Sequence, residues 1–286
     1  MSDASLLHWF STLPPAIERY ELKYIIPLSL VAPISAYIAA YCDYDEHSLD
    51  SADRFYDVNS LYFDSPSCRF LKQRIDGVDR RYNVRVRSYG DGTKGPYFAE
   101  VKYKNPTSTK KFRATLLDSE WPCFIQQGNQ QAFFTGISDK ERNSRQLFAY
   151  IAEAYAIEPK IFTCYRRCAF ASRIDDYARI TFDKDLRYRL QDTDCSAEPY
   201  SLRPCDDCIN YDFETIFGDE QQWGGSVVME LKATIGAVPV WMLELVRRFE
   251  LKQIGFSKYV SSSLVSNYDN GFRYMSNDRV VDFPMA

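Results

Sequence analysis

One feature constrains this chain above the others: an alternation of charged and apolar residues with a period of two, repeated in segment after segment. In Tyr82–Tyr89, YNVRVRSY, Arg85 and Arg87 share one parity while Val84 and Val86 share the other. Residues i and i+2 lie on one face of a strand. Arg19, Glu21 and Lys23 likewise oppose Tyr20, Leu22 and Tyr24, and Glu100, Lys102 and Lys104 oppose Val101 and Tyr103. Arg179, Thr181 and Asp183 oppose Ile180 and Phe182, Glu230 and Lys232 oppose Met229 and Leu231, and Tyr165 and Arg167 share a parity. For any single strand, an ordinary sheet with one wet face explains this. The repetition is harder to explain that way. Arg85 and Arg87 would sit ~7 Å apart on one strand, repelling by roughly 2 kcal/mol at an effective dielectric near 20. An open surface gains nothing from repeating that cost, whereas a site for a polyanion does, because Arg offers a fork matched to phosphate and Lys a point charge.

The charge distribution agrees. Net charge is −4 over 286 residues, so no global basic field recruits nucleic acid. Yet the stretch from Arg80 to Arg113 holds ten Lys or Arg against Asp91 and Glu100 alone. A focused anion site within an acidic protein is the reading. Hydrophobic residues make up 45% and aromatics 15%, enough for a sizeable core and favourable to strands. No apolar run reaches the ~18–20 residues of a membrane-spanning helix. The N-terminal stretch lacks a basic and then apolar leader, so no signal peptide is expected. Eight cysteines at irregular spacing point to a reducing, cytoplasmic setting.

Strands are expected at 19–27, 58–63, 81–89, 97–104, 110–117, 161–172, 178–186 and 226–233, with helices at 28–42, 66–75, 141–155, 240–249 and 257–266. Residues 192–207 read as a polar, cysteine-dotted loop. The fold class is α+β in a single domain spanning 1–286, with its core at about 18–266 and terminal extensions at 1–17 and 267–286. The helical stripes need an apolar partner. If the strands curl into a barrel, the apolar parity can meet the helices outside and the charged parity can line the interior, and closure also removes sheet edges. Glu21, Glu100 and Glu230 each precede a lysine by two residues. Carboxylates in a basic tunnel suit a hard divalent cation that bridges to phosphates.

At this point the motifs resemble a known family. Glu21-Leu22-Lys23-Tyr24 is similar to the first-strand signature of the triphosphate tunnel metalloenzymes, the CYTH superfamily. Tyr62-Phe63-Asp64, Arg85-Val86-Arg87, Glu100-Val101-Lys102, Tyr165-Arg166-Arg167, Arg179 to Asp183, Glu230-Leu231-Lys232 and Phe256-Ser257-Lys258-Tyr259 follow in the order of its VTC (vacuolar transporter chaperone) polyphosphate polymerase domain, bacterial type. The resemblance implies an eight-stranded antiparallel β-barrel, a triphosphate tunnel with a polar interior, flanked by helices. It implies transfer of the ATP γ-phosphoryl group onto a growing inorganic polyphosphate chain with Mn²⁺ or Mg²⁺. On this basis Lys23, Arg85, Arg87, Lys102, Arg167, Arg179 and Lys258 are the catalytic set. Arg19, Lys111, Tyr165, Lys232 and Ser257 are expected to bind substrate, and Glu230, Glu21 and Glu100 to bind metal, with Glu230 foremost. The expected partners are ATP, polyphosphate, triphosphate and pyrophosphate, no nucleic acid, and a separate membrane partner for polymer export. The wider superfamily carries a Glu where this chain has Arg19. That substitution argues mildly against the alternative of a tripolyphosphatase or nucleoside triphosphatase. A non-catalytic polyphosphate sensor is the third alternative, and RNA binding a weaker fourth. Cys205-Asp206-Asp207-Cys208, with Cys195, is a CxxC whose pairing or metal content stays open, while Cys164 and Cys168 read as packing residues.

Overall fold

The computed structural model describes residues 19–106, 109–127, 130–175, 177–191, 200–205, 208–210 and 226–269. Cys195, most of the 192–207 loop, the N-terminal extension and residues 270–286 of the C-terminal one lie outside them. The strands are β1 (Arg19–Pro27), β2 (Cys42–Tyr44), β3 (Tyr56–Asp64), β4 (Arg81–Tyr89), β5 (Tyr97–Lys104), β6 (Thr109–Leu116), β7 (Glu158–Ser172), β8 (Ala178–Leu190), β9 (Ile209–Asn210) and β10 (Ser226–Thr234). The helices are α1 (Val31–Ile38), α2 (Glu46–Asp50), α3 (Arg69–Ile75), α4 (Cys123–Gln126), α5 (Asp139–Tyr155), α6 (Val240–Arg248) and α7 (Lys258–Asp269).

Eight strands form one antiparallel sheet in the order β1-β10-β8-β7-β3-β4-β5-β6, with β2 added to β7 and β9 to β8. The sheet curls. Lys102 on β5 reaches Glu21 on β1 at 2.7 Å, bridging strands from opposite ends of that order. Among the described residues no ladder joins β1 to β6, so the barrel expected from sequence is a curled, half-closed sheet with a salt bridge across its gap.

The parity reading holds along the sheet. The apolar face of β1, β10, β8 and β7, with Tyr24, Ile26, Met229, Leu231, Ile180, Phe182 and Phe170, packs on α1 and α6 through Ile34, Ile38, Trp241 and Leu245. The apolar face of β3 to β6, with Leu61, Phe63, Val84, Val86, Val101 and Ala114, packs on α5 through Leu147, Phe148 and Ile151. Helices therefore cover the apolar outside, and the charged parity looks inward. One end of the inside is not polar. There Val58, Tyr62, Tyr165, Tyr188 and Val228 meet Phe256 and Tyr259 from the α7 region and Leu71 of α3. The polar interior is confined to the other part of the concave face.

Several boundaries differ from the sequence expectation for local reasons. Residues 28–42 are not one helix: a 3-10 turn at Leu28–Leu30 leads into α1, and Cys42 enters β2 because it pairs with Ser172 of β7. Strand β8 runs on to Leu190 through an irregularity opposite Cys164 and Arg166, where Asp185 takes a positive φ of 54°. Helix α5 starts at Asp139 because the Ser138 hydroxyl accepts from Glu141 N and caps it. Gly92, at φ +73°, lies so close to the Leu202 carbonyl that a Cβ would sit 2.1 Å from its oxygen, so only glycine admits that segment.

Asp64 at the end of β3 is a buried anchor. Its carboxylate accepts from the backbone N–H of Ser65, Phe70 and Leu71, and from the Tyr259 hydroxyl at 2.7 Å. It thereby caps α3 and ties α7 across the interior. Asp64→Ala is expected to lower unfolding free energy by about 3 kcal/mol, because buried donors lose a charged acceptor. Urea denaturation checks this, and a loss under about 1 kcal/mol would contradict the anchoring role.

Candidate anion site

The inward face is organised around four carboxylates, each gripped by cations. On the first wall, β4, β5 and β6 place Arg85, Glu100 and Arg113 in register side by side. Glu100, only 2% exposed, takes Arg85 Nε on one oxygen at 2.7 Å, and Lys111 and Arg113 on the other, each at 2.7 Å. Burial pushes its pKa up, but Arg85, Arg87, Lys111 and Arg113 outweigh that and hold it well below the usual carboxylate range. Arg85 also donates to the Tyr62 hydroxyl.

On the second wall, Asp183 of β8, 3% exposed, receives both arms of the Arg167 fork at 2.7 and 2.8 Å, and Lys258 Nζ from the start of α7. Burial again opposes ionisation, and Arg167 and Lys258 win, keeping the group below its ordinary pKa. Lys258 also lies 4.2 Å from the centre of the Tyr165 ring. Next along the sheet, Glu230 of β10 accepts from Lys232 at 2.9 Å and faces Lys23 of β1 at 3.9 Å. Lys23 donates to the Phe256 carbonyl at 3.0 Å. The Glu230 carboxyl, too, is held down by Lys232 and Lys23 against its burial.

Arg87 is different. It is 5% exposed, yet among the described residues no carboxylate pairs with it. Its guanidinium makes long contacts to Ser60 Oγ and the Tyr165 hydroxyl, each at 3.4 Å, and a hydrogen bond to the Tyr89 phenol. Burial and the Coulomb field of Arg85 oppose its charge, but the Tyr165 phenol, the nearby Glu100 carboxylate and the Tyr89 phenol outweigh them and keep the guanidinium ionised, although no carboxylate reaches it directly. The fold retains it nevertheless. The phenols beside these cations respond: burial raises the pKa of Tyr165 and Tyr89, but Arg167, Arg87 and Lys258 in one case, and Arg87 and Arg113 in the other, bring both below the normal value.

Of the residues expected from sequence, Lys23, Arg85, Arg87, Lys102, Lys111, Tyr165, Arg167, Lys232 and Lys258 come together on this one face. Arg19 and Arg179 are exposed at its rim, flanking Tyr177, with Arg19 4.0 Å and Arg179 5.7 Å from the ring centre. Ser257 is half-buried beside Lys258, its carbonyl accepting from Ser261 N. The three expected metal carboxylates are not gathered. Glu21 and Glu230 feel each other's charge, whereas Glu100 is enclosed by its own cations on the other wall. Among the described residues no three acidic, thiol or imidazole side chains converge as a metal cage. Arg113 and Asp183 were missed as site residues. Both were visible by parity, Arg113 two residues after Lys111 and Asp183 two after Thr181.

These features define a class: a curled antiparallel sheet whose concave face is richer in cations than in carboxylates. The family model of the VTC domain matches residues 18–267, and the chain belongs to that family. No curated protein matches it. Among solved structures it is similar to a candidate adenylate cyclase from Bacillus halodurans, at 11% identity over 84% of this chain and 94% of that one, TM-score 0.46. It is also similar to an adenylyl cyclase candidate from Hippeastrum described as having a dominant triphosphatase activity, at 12% identity over 89% and 96% of the chains, TM-score 0.42. The assignment rests on the family match. Family and site together suit phosphoryl transfer or triphosphate hydrolysis.

Burial depresses the Lys111 pKa to about 7 and that of Lys23 to about 8, with neighbouring cations adding to the effect. At pH 8 the empty site is therefore partly deprotonated, and a bound polyanion favours the charged form and draws protons in. Calorimetry of tripolyphosphate binding in buffers of different ionisation enthalpy should show this uptake, reduced by up to about one proton in Lys111→Arg. An identical proton balance in both proteins would refute the assignment of Lys111.

Proposed function

We propose that this chain is a nucleotide-dependent polyphosphate polymerase, which moves the terminal phosphoryl group of ATP onto a growing inorganic polyphosphate chain held along the cationic face. The observation that carries the reading is Arg87, a buried guanidinium with no carboxylate in direct contact among the described residues, set within a face where Glu100, Glu21, Asp183 and Glu230 are each already paired with cations. Such a face is stabilised by an anion with many charges in a row. Arg19 at the rim, where the wider superfamily has a carboxylate, extends the cationic track outward and favours a polymer over a short triphosphate.

Phosphoryl transfer requires positioning and charge neutralisation more than covalent help. Arg85 and Arg113, locked in plane by Glu100, and Arg167, locked by Asp183, are oriented before substrate arrives. Arg87 has donors left over for phosphate oxygens, and Lys258 and Lys23 add point charges from the opposite wall. The acceptor is itself a phosphate oxygen, so no general base is needed; His47 of α2 is stacked on Tyr89, 5.0 Å between ring centres, and tilted against Tyr56.

A divalent cation fits the Glu230 end. Two carboxylates, Glu230 and Glu21, lie close there, and the buried Thr181 hydroxyl on the neighbouring strand has no hydrogen-bond partner. One or two carboxylates are what Mg²⁺ or Mn²⁺ takes when it binds together with phosphates. Bound there, such an ion would offset the charge of the phosphate oxygens. Glu230 would hold it, with Lys232 and Lys23 keeping that carboxylate ionised. No helix among the described residues is long and apolar enough to span a membrane.

The direct test incubates the protein with ATP and Mn²⁺, resolves products on a polyphosphate-stained gel and measures free phosphate in parallel. A ladder of polymer is expected; free phosphate without polymer would identify a hydrolase instead, and neither product would leave a sensor. Glu230→Gln should lose the metal dependence while retaining tripolyphosphate binding. Arg87→Met should weaken tripolyphosphate binding by roughly 10- to 100-fold, the worth of a charge-assisted hydrogen bond, without lowering the melting temperature. A large loss of stability in that variant would mean that Arg87 is structural.

A further inference from the structure

A thiol cluster lies on the outer face of the sheet, away from the cationic interior. Cys164 sits on β7 at the apolar parity and is buried, while Cys205 and Cys208 are half-buried in the segment that crosses over it. Described residues on either side of it are anchored: Leu202 is buried in the core, Tyr200 packs edge-on against Trp121, and β9 pairs with Arg187 and Tyr188 of β8. Cys208 N donates to the Cys205 carbonyl at 3.1 Å, closing a turn that brings the two sulfurs to 4.0 Å. Cys208 also shares a hydrogen bond with the Cys164 thiol. Arg189 of β8, fixed with its guanidinium 5.1 Å from the centre of the Phe162 ring, donates to Cys205 Sγ.

Packing alone does not explain a guanidinium aimed at a sulfur. The buried Cys42 and Cys168 show what packing does: burial pushes both thiols up to about 12. At Cys208 the direction reverses. Hydrogen bonding from Cys164, with Cys205 and Arg189 adding to it, brings the thiol below its ordinary pKa despite burial. Two sulfurs 4.0 Å apart, partly open to solvent and with a guanidinium on one of them, are the arrangement of a reactive dithiol.

We propose that Cys205 and Cys208 form a redox-active dithiol site that exchanges with a low-molecular-weight disulfide. The Cys208 thiolate attacks one sulfur of the small disulfide, whose S–S bond breaks; one thiolate leaves and takes a proton from solvent. Cys205, giving up its proton to solvent, then attacks the Cys208 sulfur of the mixed disulfide. The Cys205–Cys208 bond forms and the second small thiol departs. Two electrons pass from the two cysteines to the small disulfide, which is reduced to two thiols. Cys164 holds the proton that steadies the Cys208 thiolate, and Arg189 supplies the positive charge.

The test uses the full chain, fully reduced and free of oxygen, mixed with excess oxidised glutathione, followed by alkylation and mass mapping of the free thiols. Two of the eight cysteines should become protected together, mapping to a Cys205–Cys208 disulfide that dithiothreitol reverses. Cys205→Ser should stop at a glutathione adduct on Cys208, and Arg189→Met should slow the reaction. The exposed Cys123 serves as the control for ordinary thiol reactivity. Eight free thiols after prolonged exposure, or an adduct on Cys123 alone, would overturn the proposal. So would one zinc per chain that survives dialysis and blocks the thiols until a chelator is added.

Discussion

The rest of the structure depends on a crowd of like charges held on the concave side of one sheet. Arginines and lysines side by side on neighbouring strands repel, and they can be kept there only if something holds each in place. Glu100 and Asp183 do this, each buried between opposing cations and each ionised against its own desolvation. They act as fixed rivets: by binding the sides of Arg85, Arg113 and Arg167 they set the orientation of the guanidinium planes. Removing one partner from such a buried group is costly, so the carboxylates and the cations are constrained together.

That crowding also explains why the fold is inside out. A sheet that hides its charged face must place its apolar face outside, and an exposed apolar sheet would aggregate. Helices α1, α6 and α5 cover it, and so they serve the site although none of them touches it. The end of the interior filled by Phe256, Tyr259, Tyr62 and Tyr188 limits how far the polar lining extends. Asp64 joins that filled end to the sheet and to α3, so the position of Lys258, at the start of α7, is tied to the same anchor that holds the apolar end shut.

Much of this was legible in the sequence because a strand converts position into direction. Parity alone put Lys23, Arg85, Arg87, Lys102, Arg167 and Glu230 on one face, and the helical stripes required the other face to be covered. The strand boundaries of β1, β4 and β5 followed from the same alternation. Helix 28–42 was overestimated because periodicity could not reveal that Cys42 would be claimed by the edge of β7. Arg113 and Asp183 carried the right parity and were passed over, because nothing local marks a residue as the counter-ion of one far away in the chain. The Cys164 contact with Cys208 was equally out of reach, since spacing within β7 made Cys164 look like packing.

The sequence by itself determined which residues share a face, that this face is cationic, and that the chain resembles the VTC family, because these are properties of order along the chain. Only the tertiary structure decided which charges meet. Glu100 is enclosed by three cations while Glu230 keeps Glu21 for company, Arg87 is left without a carboxylate among the described residues, and the barrel stays open with Lys102 and Glu21 bridging its gap. The reason is physical. Pairing depends on how strands register and how far the sheet curls, and both are set by packing between segments far apart in sequence, which no local pattern encodes.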